Sequence, residues 1–212
     1  MNSVKWFWIV GLSLFFAVPC LAGEGVNRSA ESGAKSDQVR MIERYALAVS
    51  MADYGEASGN PVVLLAAAQV MKDAGLGPEA DQDSAGILES AMQRAGTNLK
   101  LRSLITAEMQ RQGMRGNVQG PSKRVNRLKP SGEAEHDVQF LAGERAAVYV
   151  KSSESSRFKV SVYDENGNLV TARDGMDREC MLQWTPDWDG LFTIKVDNKE
   201  QGAELAYLML TN

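Results

Sequence analysis

The apolar residues of this chain change period once along its length. From Ser36 to about Gly113 they recur at helical spacing, with Val39, Ile42, Ala46 and Val49 on one stripe. From Glu135 onward they alternate, so that Phe158, Val160 and Val162 are separated by Lys159 and Ser161. A stripe at 3.6 residues and a face at 2 residues bury against different partners, and one chain carrying them in succession reads as α+β with segregated halves. The expected organisation is a signal peptide over 1–22, a helical domain over 36–113, a basic linker over 114–132 and an antiparallel β-sandwich, jelly-roll or Ig-like, over 133–212.

Four helices are expected in the first half. The first ends near Tyr54-Gly55. Asn60-Pro61 then reads as an N-cap followed by a first-turn proline, where the missing amide hydrogen costs nothing, and VVLLAAAQVMKDA follows until Gly75. That second helix is apolar almost all round, so it belongs at the centre of the bundle. A third is expected from about Asp83, carrying Ile87, Leu88, Ala91, Met92 and Ala95 and stopping at Gly96. The fourth starts at Asn98, carries Leu101, Leu104, Ile105 and Met109, and stops at Gly113. Two helical pairs are too few to establish a repeat, so an ordinary small bundle is the expectation.

The ends and the joint add a compartment. MNSVKWFWIVGLSLFFAVPCLA has one cation, Lys5, an apolar run from Trp6 to Val18, and Cys20 and Ala22 before a possible cut, which is the layout of a secretory signal; acylation at Cys20 is the alternative, with Pro19 against it. Cleavage after Ala22 would leave 190 residues with Cys180 as the single cysteine, so no internal disulfide is available and packed cores must supply the stability. Arg115, Lys123, Arg124, Arg127 and Lys129 make the stretch between the halves basic, and without interleaved aromatics it reads as a solvated tether and not as a nucleic-acid site.

In the second half HDVQFL, AAVYVK, FKVSVY, NLVTAR, CMLQW, LFTIKV and LAYLML are seven short strands separated by turn residues. Asp164-Glu165-Asn166-Gly167-Asn168 closes a tight hairpin. Cys180, Leu182 and Trp184 share a parity that faces the core. Trp188 lies in Pro186-Asp187-Trp188-Asp189-Gly190, where it either covers the open end of the sandwich, the favoured reading, or offers a stacking surface to a ligand. VQFLAGE from Val138, VSVYDENGNLV, Cys180 through Trp184-Thr185-Pro186, GLFTIKVDN from Gly190 and the closing Tyr207-Leu208 together resemble the bacterial pre-peptidase C-terminal domain. That resemblance implies an accessory, non-catalytic β-sandwich of secreted bacterial proteins, in some members calcium-dependent and in some a binder of substrate or matrix.

Reaction chemistry is sparse. His136 is the single histidine, so a zinc helix is impossible, and a triad or Cys-His pair would need this strand residue. Residues 133–212 hold 15 acidic and 8 basic side chains, and within them Asp164, Asn166 and Asn168 alternate like the opening of a calcium loop, with Asp174 as a fourth oxygen donor; no acid stands at the twelfth position, and a plain hairpin turn is the alternative. No other cofactor is implied. The expected function is a non-enzymatic binding or interaction module of the bacterial envelope or extracellular space, periplasmic or secreted, whose partner is an envelope or secreted protein or a glycan. A hydrolase with a carboxylate pair and a purely structural spacer are the alternatives.

Overall fold

A computed structural model describes residues 25–111, 120–175 and 178–212. The expected signal peptide, the expected helix stop at Gly113 and Arg115 lie outside the described residues. Helices α1 (Asp37–Ser58), α2 (Pro61–Asp73), α3 (Pro78–Arg94) and α4 (Leu99–Gln110) come first. The caps at Asn60 and Asn98 are those the sequence calls for, Asn60 accepting from the Val62 and Val63 amides and Asn98 from Leu101, and the structure adds Ser36, whose side chain accepts from the Val39 amide. Central placement of α2 holds, with Leu64, Leu65, Ala67, Ala68 and Met71 buried. None of the described helices is long and apolar enough to cross a membrane.

Two helix boundaries differ from expectation. α1 runs on past Gly55 to Ser58 and is closed by Gly59 in the left-handed region, φ 62°. Gly55 serves a different purpose: a Cβ there would lie 2.8 Å from a Leu64 methyl, so its absence lets α1 and α2 approach. α3 begins at Pro78, five residues before the expected Asp83, because Gly77 and Pro78 act as a helix start and not as a turn.

Eight strands follow: β1 (Ser122–Leu128), β2 (Glu133–Phe140), β3 (Ala146–Ser152), β4 (Phe158–Tyr163), β5 (Leu169–Gly175), β6 (Glu179–Trp184), β7 (Gly190–Asn198) and β8 (Leu205–Thr211). They form two antiparallel sheets, β1-β8-β3-β6 and β2-β7-β4-β5. The pairs β4·β5, β3·β6, β2·β7 and β1·β8 are nested about the turn between β4 and β5, as if the chain were folded double there and then rolled. That is jelly-roll order, which decides between the two sandwich types expected.

The stretch expected to be linker is corrected in part: Ser122–Leu128 is an edge strand paired along its whole length with β8. Its exposed Lys123, Arg124 and Arg127 disguise it as a tether, though cations on an edge are how sheets resist pairing with other chains.

Three cores organise the molecule. Between the sheets lie Phe140, Val148, Val150, Phe158, Val160, Val162, Leu182, Trp184, Phe192, Ile194 and Tyr207. Among α2, α3 and α4 lie Leu64, Ala68, Leu88, Ala91 and Ile105. The third core joins the halves: Val39, Ile42, Tyr45, Ala48 and Met71 pack on Ala147, Tyr149 and Leu210, which point out of the far side of the β1-β8-β3-β6 sheet. β3 is therefore covered on both faces, which its unbroken Ala-Ala-Val-Tyr-Val run signals. The other sheet keeps one wet face, and β7 alternates buried and half-buried residues from Phe192 to Asn198.

A charged joint fixes α4. Lys72 and Glu108, both buried, stand 3.6 Å apart, and the Lys72 ammonium donates to the carbonyls of Glu108 at 2.6 Å and Arg111 at 2.9 Å. The Glu108 carbonyl, which also accepts from the Arg111 amide at 3.1 Å, and the Arg111 carbonyl stand at the C-terminal end of α4, so Lys72 of α2 helps to cap its neighbour.

Candidate binding surface at the strap end of the sandwich

The chain before α1 is a strap laid across one end of the jelly roll. Ser29 and Gly33 amides donate to the Thr185 carbonyl and hydroxyl at 2.7 and 2.9 Å, the Arg145 amide donates to the Ala34 carbonyl at 2.9 Å, and Ala34 bridges Glu144 in parallel. Gly33 is required by space, since a Cβ would fall 2.4 Å from the Gly143 carbonyl oxygen.

Asn27 is the strap's deepest point, with 0% of its surface exposed. Its Oδ1 accepts from the amides of Asp187 at 2.8 Å and Trp188 at 3.2 Å, and its Nδ2 donates to the Trp188 carbonyl at 3.0 Å. One asparagine thus satisfies three backbone groups of a loop that no strand partner could reach. The Asn27 amide in turn donates to Asp164 Oδ2 at 3.0 Å, so the strap ties the loop between β6 and β7 to the turn on which the roll is folded.

Asp164 organises that turn. Its Oδ1 accepts from the Asn166 and Asn168 amides at 3.0 and 2.8 Å, its Oδ2 also from Asn168 Nδ2 at 3.2 Å, and Gly167 takes φ 79°. Burial alone would raise the carboxyl's pKa, but the N–H groups aimed at it from Asn27, Asn168 and Asn166 outweigh that and hold it below the usual carboxylate range.

The four oxygen donors expected to gather around calcium are not brought together. Asp164 is filled by four N–H donors, Asn166 is exposed and contributes its amide, and Asn168 points its own amide nitrogen at Asp164. Asp174 pairs with Lys159 toward the other end of the hairpin, about 20 Å along β5 from Asn168 at roughly 3.3 Å per residue.

Trp188 is half-buried. Its backbone is held by Asn27, and its indole N–H donates to the Glu165 carboxylate. Gly190 keeps this corner tight, because a Cβ there would lie 2.7 Å from Glu165 Oε2 and 2.9 Å from Asn27 Nδ2. Asp189 accepts from the Ala142 amide at 2.7 Å, which fixes the loop between β2 and β3 to the same corner. Val26, Leu141, Leu169 and Leu191, each on a segment that ends here, are exposed. The result is an indole locked in orientation, with carboxylates and aliphatic side chains at the same end. Trp184 is a core residue as its parity requires, edge-on to Phe140 with ring centres 4.9 Å apart.

Sequence reasoning missed Asn27 and Glu165. Asn27 stands in the polar run GEGVNRSAESGAKSDQ, without periodicity, and its partners are more than 130 residues away.

The two residues with nucleophile or base chemistry stand at opposite edges of the sandwich. His136 on β2 lies beside β1, its Nδ1 3.4 Å from Arg124 Nη1 and its Nε2 2.7 Å from the Tyr207 hydroxyl. Arg124 can only donate, so Nδ1 is the acceptor and Nε2 carries the proton. Burial first, and then the Arg124 charge, lower the His136 pKa. Cys180 on β6 is buried at the other edge, and burial pushes its thiol up to about 11. Three strand spacings of roughly 4.8 Å separate the two edges, so no Cys-His pair forms.

No protein-family model matches the chain, and no curated protein does. Among solved structures it is similar to PliG, a periplasmic inhibitor of g-type lysozyme from Aeromonas hydrophila, at 14% identity over 43% of this chain and 84% of that one, with a TM-score of 0.35. It is also similar to the pre-peptidase C-terminal domain of a collagenase from Bacillus anthracis, at 10% identity over 43% of this chain and 89% of that one, with a TM-score of 0.36. Pre-peptidase C-terminal domains, the family whose likeness is read in the sequence, are thus also represented among the structural matches. Likenesses of this grade carry no functional argument; the jelly-roll assignment rests on the strand order and register of the chain itself.

Proposed function

We propose that this protein is an exported, non-enzymatic binding module that contacts an envelope or secreted protein, or a glycan, through the strap end of its jelly roll, with Trp188 as the central contact. The observation that carries this reading is the pre-organisation of Trp188: Asn27 holds its backbone on both sides of the residue and Glu165 holds its indole nitrogen, while part of the ring stays open. A rigid aromatic anchor loses little entropy on binding, which is the economy that binding surfaces use.

A carboxylate hydrolase is less well supported. Its best place is a cleft between α1, α3 and β3, where Asp53, Glu56 and Asp83 are each paired with a cation, Arg178, Arg94 and Lys151. Carboxylates held in ion pairs are not presented to a substrate as an acid and a base.

The test is Trp188→Ala, followed by melting and by binding to a glycan array and to envelope proteins captured by the wild-type chain. Complete burial of a tryptophan would cost about 3–5 kcal/mol on truncation, so a half-buried ring costs about half that. Loss of a ligand that the wild type captures, with the protein still folded at room temperature, is expected. Retained capture by a destabilised Trp188→Ala protein would reduce Trp188 to corner packing and refute the proposal.

A further inference from the structure

Each sheet of the roll ends in two edge strands, β1 and β6 in one and β2 and β5 in the other. Three of these edges carry exposed charge: Lys123, Arg124 and Arg127 on β1, Glu133, Glu135 and Asp137 on β2, and Arg173 and Asp174 on β5. Charge of this kind keeps an edge from pairing with another chain. β6 reads Glu-Cys-Met-Leu-Gln-Trp, and its one charge is drawn off the edge. The Glu179 carboxylate accepts from the Ser50 hydroxyl at 2.5 Å and from the Tyr149 hydroxyl at 2.6 Å. β6 is thus the unguarded edge of the sandwich.

The register shows which backbone groups of β6 are open. Continuing the β3·β6 pairing, Ser152 stands opposite Arg178 and donates its amide to the Arg178 carbonyl at 2.8 Å. At alternate positions, therefore, Cys180, Leu182 and Trp184 turn their N–H and C=O groups to β3, and Glu179, Met181 and Gln183 turn theirs outward. The next outward carbonyl, that of Thr185, accepts from the strap amide of Ser29, so this edge already takes up one added segment. Beyond the strap, the Met181 amide and the Gln183 amide and carbonyl have no partner among the described residues. The Met181 carbonyl meets Arg173 at 3.5 Å, the limit of a hydrogen bond, through an exposed side chain that can swing aside. On the helix side of the edge lies a groove of about 410 Å³ whose lining includes Ala46, Leu47 and Ser50 of α1 and Met181. Leu47 is exposed there, and so is Tyr54, two turns further along the same flank of α1.

We propose that β6 is the interface of a twofold dimer of this chain, in which two β6 strands pair antiparallel about an axis at Met181 and join the β1-β8-β3-β6 sheets of both copies into one. The edge is self-complementary in that register. Each Met181 exchanges both backbone bonds with the partner's Met181, and Glu179 stands opposite the partner's Gln183, so no two carboxylates face each other. The flank of α1 obeys the same axis. Gln183 Nε2 donates to Glu43 at 2.9 Å and Ser50 donates to Glu179, so the part of α1 level with Met181 lies midway between residues 43 and 50, where Leu47 stands. Leu47 then meets the partner's Leu47 above the paired strands, and apolar side chains close both grooves. Moving the axis along β6 breaks this match. At Glu179 it sets that carboxylate against the partner's Glu179, and at Gln183 it brings the partner's Met181 to the Thr185 carbonyl that the strap already holds.

The experiment is analytical ultracentrifugation of the full chain between ~1 and ~100 µM, because self-association follows mass action. A concentration-dependent dimer is expected, with amide exchange at Met181 and Gln183 slowing as it forms. Met181→Pro removes an N–H that faces away from β3, which an edge strand tolerates, and should weaken the dimer at least about tenfold while the monomer stays folded. Leu47→Lys, at an exposed helix position, sets like charges together at the axis and should weaken it comparably. Trp188→Ala should leave the dimer unchanged, which separates this edge from the strap end. The proposal is overturned if the chain is monomeric throughout, if the dimer keeps its affinity in Leu47→Lys or in a folded Met181→Pro protein, or if Trp188→Ala abolishes it. Should Met181→Pro fail to fold, unchanged affinity in Leu47→Lys overturns the proposal equally.

Discussion

Replacing Asn27 with alanine removes a wholly buried side chain that holds two amides and one carbonyl of Asp187 and Trp188. Each backbone group left unpaired in the interior costs about 1–3 kcal/mol. Asp187 is exposed and Trp188 half-buried, so water replaces part of what is lost, and a total of about 2–4 kcal/mol follows. For a chain of this length 1 kcal/mol moves the melting temperature by about 2–4 °C, which puts the expected drop between about 4 and 16 °C. Gly25→Ala is the control, because a Cβ at Gly25 meets nothing within 4 Å. Calorimetry of the two variants, with amide hydrogen exchange at Asp187 and Trp188, reads the effect. Faster exchange at those two amides should accompany the drop in melting temperature. A shift of about 1 °C or less, or exchange at both amides equal to wild type, would refute the clamp.

Further expectations concern the titrating groups and the joint between the halves. Cys180, with a thiol raised to about 11, should be only about 0.1% thiolate at pH 8, so it should resist a thiol reagent in the native protein and react after denaturation; rapid native labelling would contradict its place in the core. His136 is lowered in the folded state, so the unfolded chain binds the extra proton and stability should rise with pH as the solution passes upward through the ordinary histidine range; His136→Gln should remove that slope between about pH 5.5 and 7.5, and an unchanged slope assigns it elsewhere. Asp164 is also lowered, so its contribution is present above the ordinary carboxylate pKa and lost as pH falls through the folded value; the stability gap between wild type and Asp164→Asn should close in acid below about pH 4, and calcium should move neither melting curve. Cleavage within residues 112–119 should leave the two fragments co-eluting, because separation would expose Val39, Ile42 and Tyr45 together with Ala147, Tyr149 and Leu210; independent elution of two folded pieces would show that this shared core is dispensable.

Legibility in the sequence follows the range of the interaction. The caps at Asn60 and Asn98 are readable because each bonds an amide two or three residues away. The inward parity of Cys180, Leu182 and Trp184 is readable because alternation is a property of neighbours. β1 escapes a sequence reading since its evidence is the partner β8, some 80 residues on, and its own side chains are those of a solvated tether. Asp164 stands out in the sequence as a short acid in a tight turn, but the pattern alone does not say whether its oxygens face a cation or the amide of Asn27.

What this sequence determines by itself is therefore the local layer: two periods, the capped helix starts at Asn60 and Asn98, the strand parities and the tight turn on which the sheet pairs are nested. Those choices follow from steric and hydrogen-bonding preferences within a few residues, and they hold in any tertiary setting. Only the folded chain decided that the helices cover one sheet and leave the other wet, that the strap's Asn27 locks Trp188, and that Leu47 of α1 lies beside the open edge of β6. Each of these joins residues far apart in sequence, where chain entropy opposes contact and only a cooperatively packed core supplies the free energy to hold it.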